Sequence, residues 1–264
     1  MSIIKKLPAA LVAGMFFIGP TNVAANDHLV PEESALSGDP NDIQDYKALV
    51  ASSFARVYQS DIAVRMIALP SFHPEYAVAM EHGDDNIYRI LVLKPAVMLW
   101  SYPVLGMMKS GQIKVAKDAF GKNAVADPTF RKDNEGIAKL EAKLPPDPRD
   151  VKIDLCEKEI DKSLAGRIID VWMGVTYRTR YDMPVVDKNG IQTVRIHADA
   201  DVFHFSASGW DAPAGQIADP DPQSDPGRLL AVATAMQAYC ARPEKGNLAA
   251  LTEAVDILKR QLNH

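Results

Sequence analysis

Four residues in one short stretch, His197, Asp199, Asp201 and His204, are of the types that bind metals or move protons. If the stretch is a hairpin, its two ends converge. Two imidazoles and two carboxylates then form a donor set suited to zinc or another divalent metal. The same residues also have an ordinary structural reading. Aspartates favour turns, because their side chains bond to nearby backbone, and histidines suit half-buried strand positions. Ser206 shares a strand face with His204, and Ser208 follows; this pairs a hydroxyl with a base but supplies no third, activating group. Asp219-x-Asp221-x-Gln223-x-Asp225 has the spacing that opens a calcium loop, yet Ser224 stands where such a loop needs glycine and Leu230 where it needs a bidentate glutamate. Pro220, Pro222 and Pro226 suit a rigid turn leading into a helix instead. Arg178 and Arg180 are placed to complement the dipole at a helix end. The patterns G-x-S-x-G, H-E-x-x-H, the P-loop and G-x-G-x-x-G after a strand are all missing from the chain. No cofactor follows from these residues.

The elements that must position them run from Cys156 to Cys240. Val151, Ile153 and Leu155 alternate with polar residues, which predicts a strand; from Asp161 to about Arg180, Leu164, Ile168, Val171, Trp172 and Val175 recur at helical spacing. Val185 and Val186 lead to an Asn189-Gly190 turn, and the chain returns through Ile191 to His197. It is then expected to pair with Val202 to Ser206. Asp225 is the expected cap of the next helix, with Pro226 at its first position and Cys240 on its apolar face. Asn247 is the expected cap of a last helix carrying the stripe Leu248, Leu251, Val255, Leu258 and Leu262.

Upstream, the spacing predicts a helix from Asp42 to about Tyr58, a strand over Ile62–Leu69, a hairpin over Tyr76–Leu93 and a further strand at Val97–Tyr102. Met107 to Leu144 is broken by glycines and Pro128, and only Ile137–Leu144 has a helical pattern. Pro145-Pro146-Asp147-Pro148 is a stiff break, a possible sub-boundary near 145–149, which we read as a loop. The expected fold is α+β: one domain over 42–264, an antiparallel sheet with helices packed mainly on one face, and one disulfide.

Lys5 and Lys6 precede a nearly unbroken apolar run from Leu7 to Gly19, and Val23-Ala24-Ala25 places small residues where signal peptidase requires them. That pattern predicts a signal peptide over 1–25, followed by a polar, flexible leader over 26–41. The apolar run is well short of the ~20 residues a bilayer needs, so no integral membrane span is expected. The chain carries a net charge of −5, with 47% hydrophobic and 24% charged residues. Such an acidic, mixed-sign surface argues against nucleic acid as a partner. In an oxidising compartment Cys156 and Cys240, the two cysteines of the chain, are expected to pair. A bond between them closes a loop of roughly eighty residues, worth about 4.5 kcal/mol in the chain-entropy model.

Trp172, Arg180-Tyr181, Phe203-His204-Phe205-Ser206, Ala214-Gly215-Gln216 and the helix ending at Tyr239 form an arrangement that resembles small exported proteins of Gram-negative bacteria to which no activity is assigned. The resemblance covers about Val151 to Tyr239; it implies a periplasmic or secreted location and nothing about mechanism. The functional expectation is a non-catalytic binding or inhibitor-type protein whose partner is a protein or small ligand of the cell envelope. Two alternatives stand beside it: a metal-dependent or hydrolytic enzyme using the His–Asp cluster, and a small-ligand carrier.

Overall fold

The structure, a computed structural model, describes residues 27–31, 40–84, 86–110, 134–181, 185–186, 192–193, 200–208 and 214–264. His197, Asp199, the expected Asn189-Gly190 turn and the expected signal peptide lie outside the described residues. The described strands are β1 (Ile62–Leu69), β2 (Tyr76–His82), β3 (Tyr88–Pro95), β4 (Ile153–Ile160), the short pair β5 (Val185–Val186) and β6 (Gln192–Thr193), β7 (Val202–Ala207) and β8 (Ala214–Ala218). Six of them form one antiparallel sheet in the order β4-β3-β2-β1-β7-β8. The β2–β3 hairpin turns on Asn86, whose φ of 60° is a conformation asparagine tolerates. β4 follows the proline-rich break and pairs along its length with β3, which precedes it.

Alternation along the strands splits the apolar residues between two faces. Met66, Val78, Met80, Ile90, Val92, Phe203, Phe205 and Ile217 lie on the first. Ile67, Ala77, Ala79, Leu91 and Leu93 lie on the second, joined by Ile62 through a register shift between Ile62 and Val64. The three longest helices cover the first face: α4 (Lys162–Thr176), α5 (Asp225–Ala241) and α6 (Lys245–Leu262), with Trp172 set edge-on to Phe205 at 5.7 Å. On the second face lie α1 (Pro40–Ser53), the 3-10 turn Ala55–Tyr58 and the residues leading into α2 (Ser101–Ser110), which bury Val50, Phe54, Val57 and Leu99. A short helix, α3 (Asn134–Glu141), follows. The fold is α+β, with most of its helical packing on one face.

Cys156 and Cys240 are bonded, with their Cα atoms 6.1 Å apart and a separation of 84 in sequence. The bond fastens β4, at one edge of the sheet, to α5. Among the described residues no helix is long and apolar enough to cross a membrane.

Several local expectations are corrected. Val97–Tyr102 is not a strand: the Leu99 and Trp100 N–H groups donate to the buried Glu75, which turns the chain into α2. β7 pairs with β1 and β8, not with the segment that precedes it. Ser224, not Asp225, caps α5, its hydroxyl accepting from Gly227 N at 3.1 Å. α6 begins at Lys245, and Asn247 donates instead to Arg242 O at 2.7 Å, tying down the end of α5. Within the stretch read as a flexible leader, Asp27–Pro31 packs on β8 and buries Leu29 in the main core.

Candidate functional site

β7 sets the geometry around the predicted cluster. His204 stands opposite Ile67 on one side and Gln216 on the other, and Ser206 stands opposite Arg65. Directly opposed strand residues have Cβ atoms about 5 Å apart, so Arg65, His204, Ser206 and Gln216 form one polar patch on the second face. The apolar cluster of that face draws on β1 to β3 and takes no residue from β7 or β8. Within the patch Arg65 stacks on the Tyr58 ring at 4.2 Å and donates to Val57 O at 3.3 Å. Ser206 is buried. Gln216 is 1% exposed, and neither its amide oxygen nor its amide nitrogen has a hydrogen-bond partner among the described residues. Sequence reasoning named His204 and Ser206 as candidates, carried Gln216 only within the resemblance and missed Arg65; the four meet only through strand pairing.

Asp201 is drawn away from His204. A three-residue step along extended chain sends the two side chains to opposite sides of the sheet. The Asp201 carboxylate accepts from Ser71 N at 3.0 Å, while its own N–H donates to Asp219 Oδ1 at 3.2 Å and Ser71 Oγ donates to Ala200 O at 2.9 Å. These bonds lace the β1–β2 loop to the start of β7. The Tyr76 hydroxyl is pushed up from its ordinary pKa by burial first and by the Asp201 charge second. Among the described residues no group of three or more His, Cys, Asp or Glu is placed to hold a metal ion.

The remaining acids also serve the scaffold. Asp221 accepts from Gln223 N at 2.8 Å, and a Cβ on Gly227 would meet Asp221 O at 1.9 Å, so the loop before α5 is a close-packed turn. Asp225 bonds to Arg178 at 2.7 Å and to Gln261 at 2.7 Å; Arg178 also donates to Leu262 O at 2.8 Å, at the last carbonyls of α6. Glu75, fully buried, accepts from Tyr46 OH at 2.7 Å, Leu99 N at 2.7 Å and Trp100 N at 2.8 Å. Burial, and then the Glu75 charge beside it, hold the Tyr46 hydroxyl well above the ordinary tyrosine range. Glu81 pairs with Arg56 and, at 3.7 Å, with Arg89. Arg56 also bonds to Asp61 at 3.1 Å, and Arg89 reaches Glu157 at 3.4 Å. This network floors an open groove lined by Gln59, Ser60, Asp61, Glu81, Gly83, Asp84 and Arg89. Two arginines here hold three carboxylates, so the charged groups are tied to one another, which suits recognition of a polar surface more than activation of a nucleophile.

Among the described residues, three aromatic side chains are strongly exposed, Phe72 (71%), Tyr177 (65%) and Tyr181 (67%). Phe72 stands beside the Ser71–Asp201 tie, and the tyrosines flank the turn after α4. Comparison with protein-family models, with curated proteins and with solved structures finds no match for this chain.

Proposed function

We propose that the chain is an exported protein of the cell envelope that acts by binding, as an inhibitor-type or similar partner of another protein, and not by catalysis. The observation that carries this reading is the use of its acids. Glu75, Glu81, Asp201, Asp221 and Asp225 each bond to the backbone, an arginine or another side chain of the fold. Acids held in this way rigidify loops, and rigid loops carrying exposed aromatic rings are the usual anchors of protein interfaces. Export is supported by the Cys156–Cys240 bond, which persists in oxidising compartments, and by the signal pattern over 1–25.

The test is the intact mass of protein purified from the periplasm, taken under native and then denaturing conditions without reductant. The expected mass begins at Asn26, lies two hydrogens below the reduced chain and carries no adduct. A divalent metal retained by the native protein and lost in His204→Ala would overturn the reading in favour of a metal-dependent enzyme.

The second reading, a small-ligand carrier, is favoured by Gln216. A buried amide with both polar atoms unpaired is disfavoured by about 1–3 kcal/mol per group unless something fills its bonds. Replacing it with the similarly sized methionine is expected to leave stability unchanged or raise it by about 1 kcal/mol, as read by urea unfolding. A small molecule that co-purifies with wild type and is lost in Gln216→Met would establish the carrier.

A further inference from the structure

The open side of β8 is completed by residues from the start of the described chain. Val30 N donates to Gln216 O at 2.9 Å, and Gln216 N donates back to Val30 O at 2.8 Å. Arg180 N donates to Leu29 O at 3.0 Å. Leu29 is 1% exposed, inside the same core as Trp172 and Phe205. Its seat depends on a missing side chain. A Cβ on Gly215 would stand 2.8 Å from Leu29 Cβ and 2.7 Å from Thr179 Oγ1, distances real Cβ atoms do not reach. A short polar segment without periodicity is therefore held by three backbone hydrogen bonds and one buried leucine.

The expected signal peptidase site, between Ala25 and Asn26, is only four residues before Leu29. Four residues of extended chain reach about 14 Å at most. While the signal remains in the membrane, burying Leu29 would press this edge of the folded body against the bilayer. It would also fix the bend at His28 where a protease needs extended chain on the far side of the bond it cuts. Docking and cleavage make opposed demands on the same residues. From this we infer that Asp27–Pro31 is a maturation clasp: it seats on β8 only after the signal is cut, and seating closes a sheet edge that the precursor leaves open. The trigger rests on the export reading; the docking rests on the contacts of Leu29 and Val30.

Hydrogen exchange at the Gln216 and Arg180 amides reads the clasp directly, because each donates to a carbonyl of the segment. The comparison is between the cut wild-type chain and Ala25→Arg, whose bulky residue at the cleavage position keeps the signal attached, both purified from membranes and periplasm in the same detergent. Both amides are expected to exchange at least tenfold faster in the uncut chain, while amides of β2, deep in the sheet, keep their rates. Leu29→Asp, cut normally, is expected to show the same fast exchange at Gln216 and Arg180. Equal protection of Gln216 in cut and uncut chains would overturn the clasp even if export holds. A wild-type chain that keeps residues 1–25 in cells would overturn the trigger and the export reading together, and Leu29→Asp would then report the docking by itself.

Discussion

Glu75 shows how one buried acid can organise a turn. Its carboxylate accepts two backbone N–H groups and a phenol, and truncation would leave two buried donors and one part-buried donor without this acceptor. Glu75→Ala is expected to lose about 3 kcal/mol, read as a lower urea midpoint with an unchanged slope. Its partner sets an alkaline limit. The folded state holds Tyr46 protonated well above the ordinary tyrosine value of 10.0, so the tyrosine's contribution is fully present below pH 10.0 and is lost as pH rises beyond it. Tyr46→Phe, which has no proton to lose, is expected to flatten the fall in stability above pH 10; an equally steep fall in both chains would show that other groups set the limit. Neither role is legible in the sequence. Glu75 is an unremarkable acid between Pro74 and Tyr76, and the helical pattern that puts Tyr46 on a core-facing side says nothing of the acid it meets there.

The helices α4, α5 and α6 and the strands β1 to β4 follow from apolar periodicity, because each buries one regular face. β8 escapes pattern reading. Ala214-Gly215-Gln216-Ile217-Ala218 has little β propensity, and it is a strand because it pairs with β7 along one side, with Val30 bonding to Gln216 on the other. The same holds for Asp27–Pro31, whose composition suggests a free leader. At this scale the disulfide is the strongest lever, since it ties the edge strand β4 to α5. Cys156→Ser with Cys240→Ser is expected to lose about 4.5 kcal/mol, the chain entropy of an 84-residue loop, measured by urea unfolding of the variant against the oxidised wild type. A loss under 1 kcal/mol would mean that packing alone holds that edge.

Across the whole molecule, the sheet joins the chain on both sides of the Pro145–Pro148 break, because β4 pairs with β3 over eight positions. The two apolar clusters share that sheet as a common wall. Unfolding is therefore expected as a single calorimetric transition with equal calorimetric and van't Hoff enthalpies. Two resolved transitions would mean that the clusters melt as separate units.

Sequence alone determined the α+β class, most strands and helices, the pairing of the two cysteines and the pattern that predicts export. Each of these depends on local periodicity, composition or simple counting. Tertiary structure decided which polar residues meet. It set Gln216 and Arg65 beside His204 and Ser206, turned Asp201 to the other side of the strand, and gave Glu75 its three donors. Such meetings arise from strand register and loop docking between residues far apart in sequence, 130 positions in the Ser71–Asp201 tie, and no local pattern carries that information.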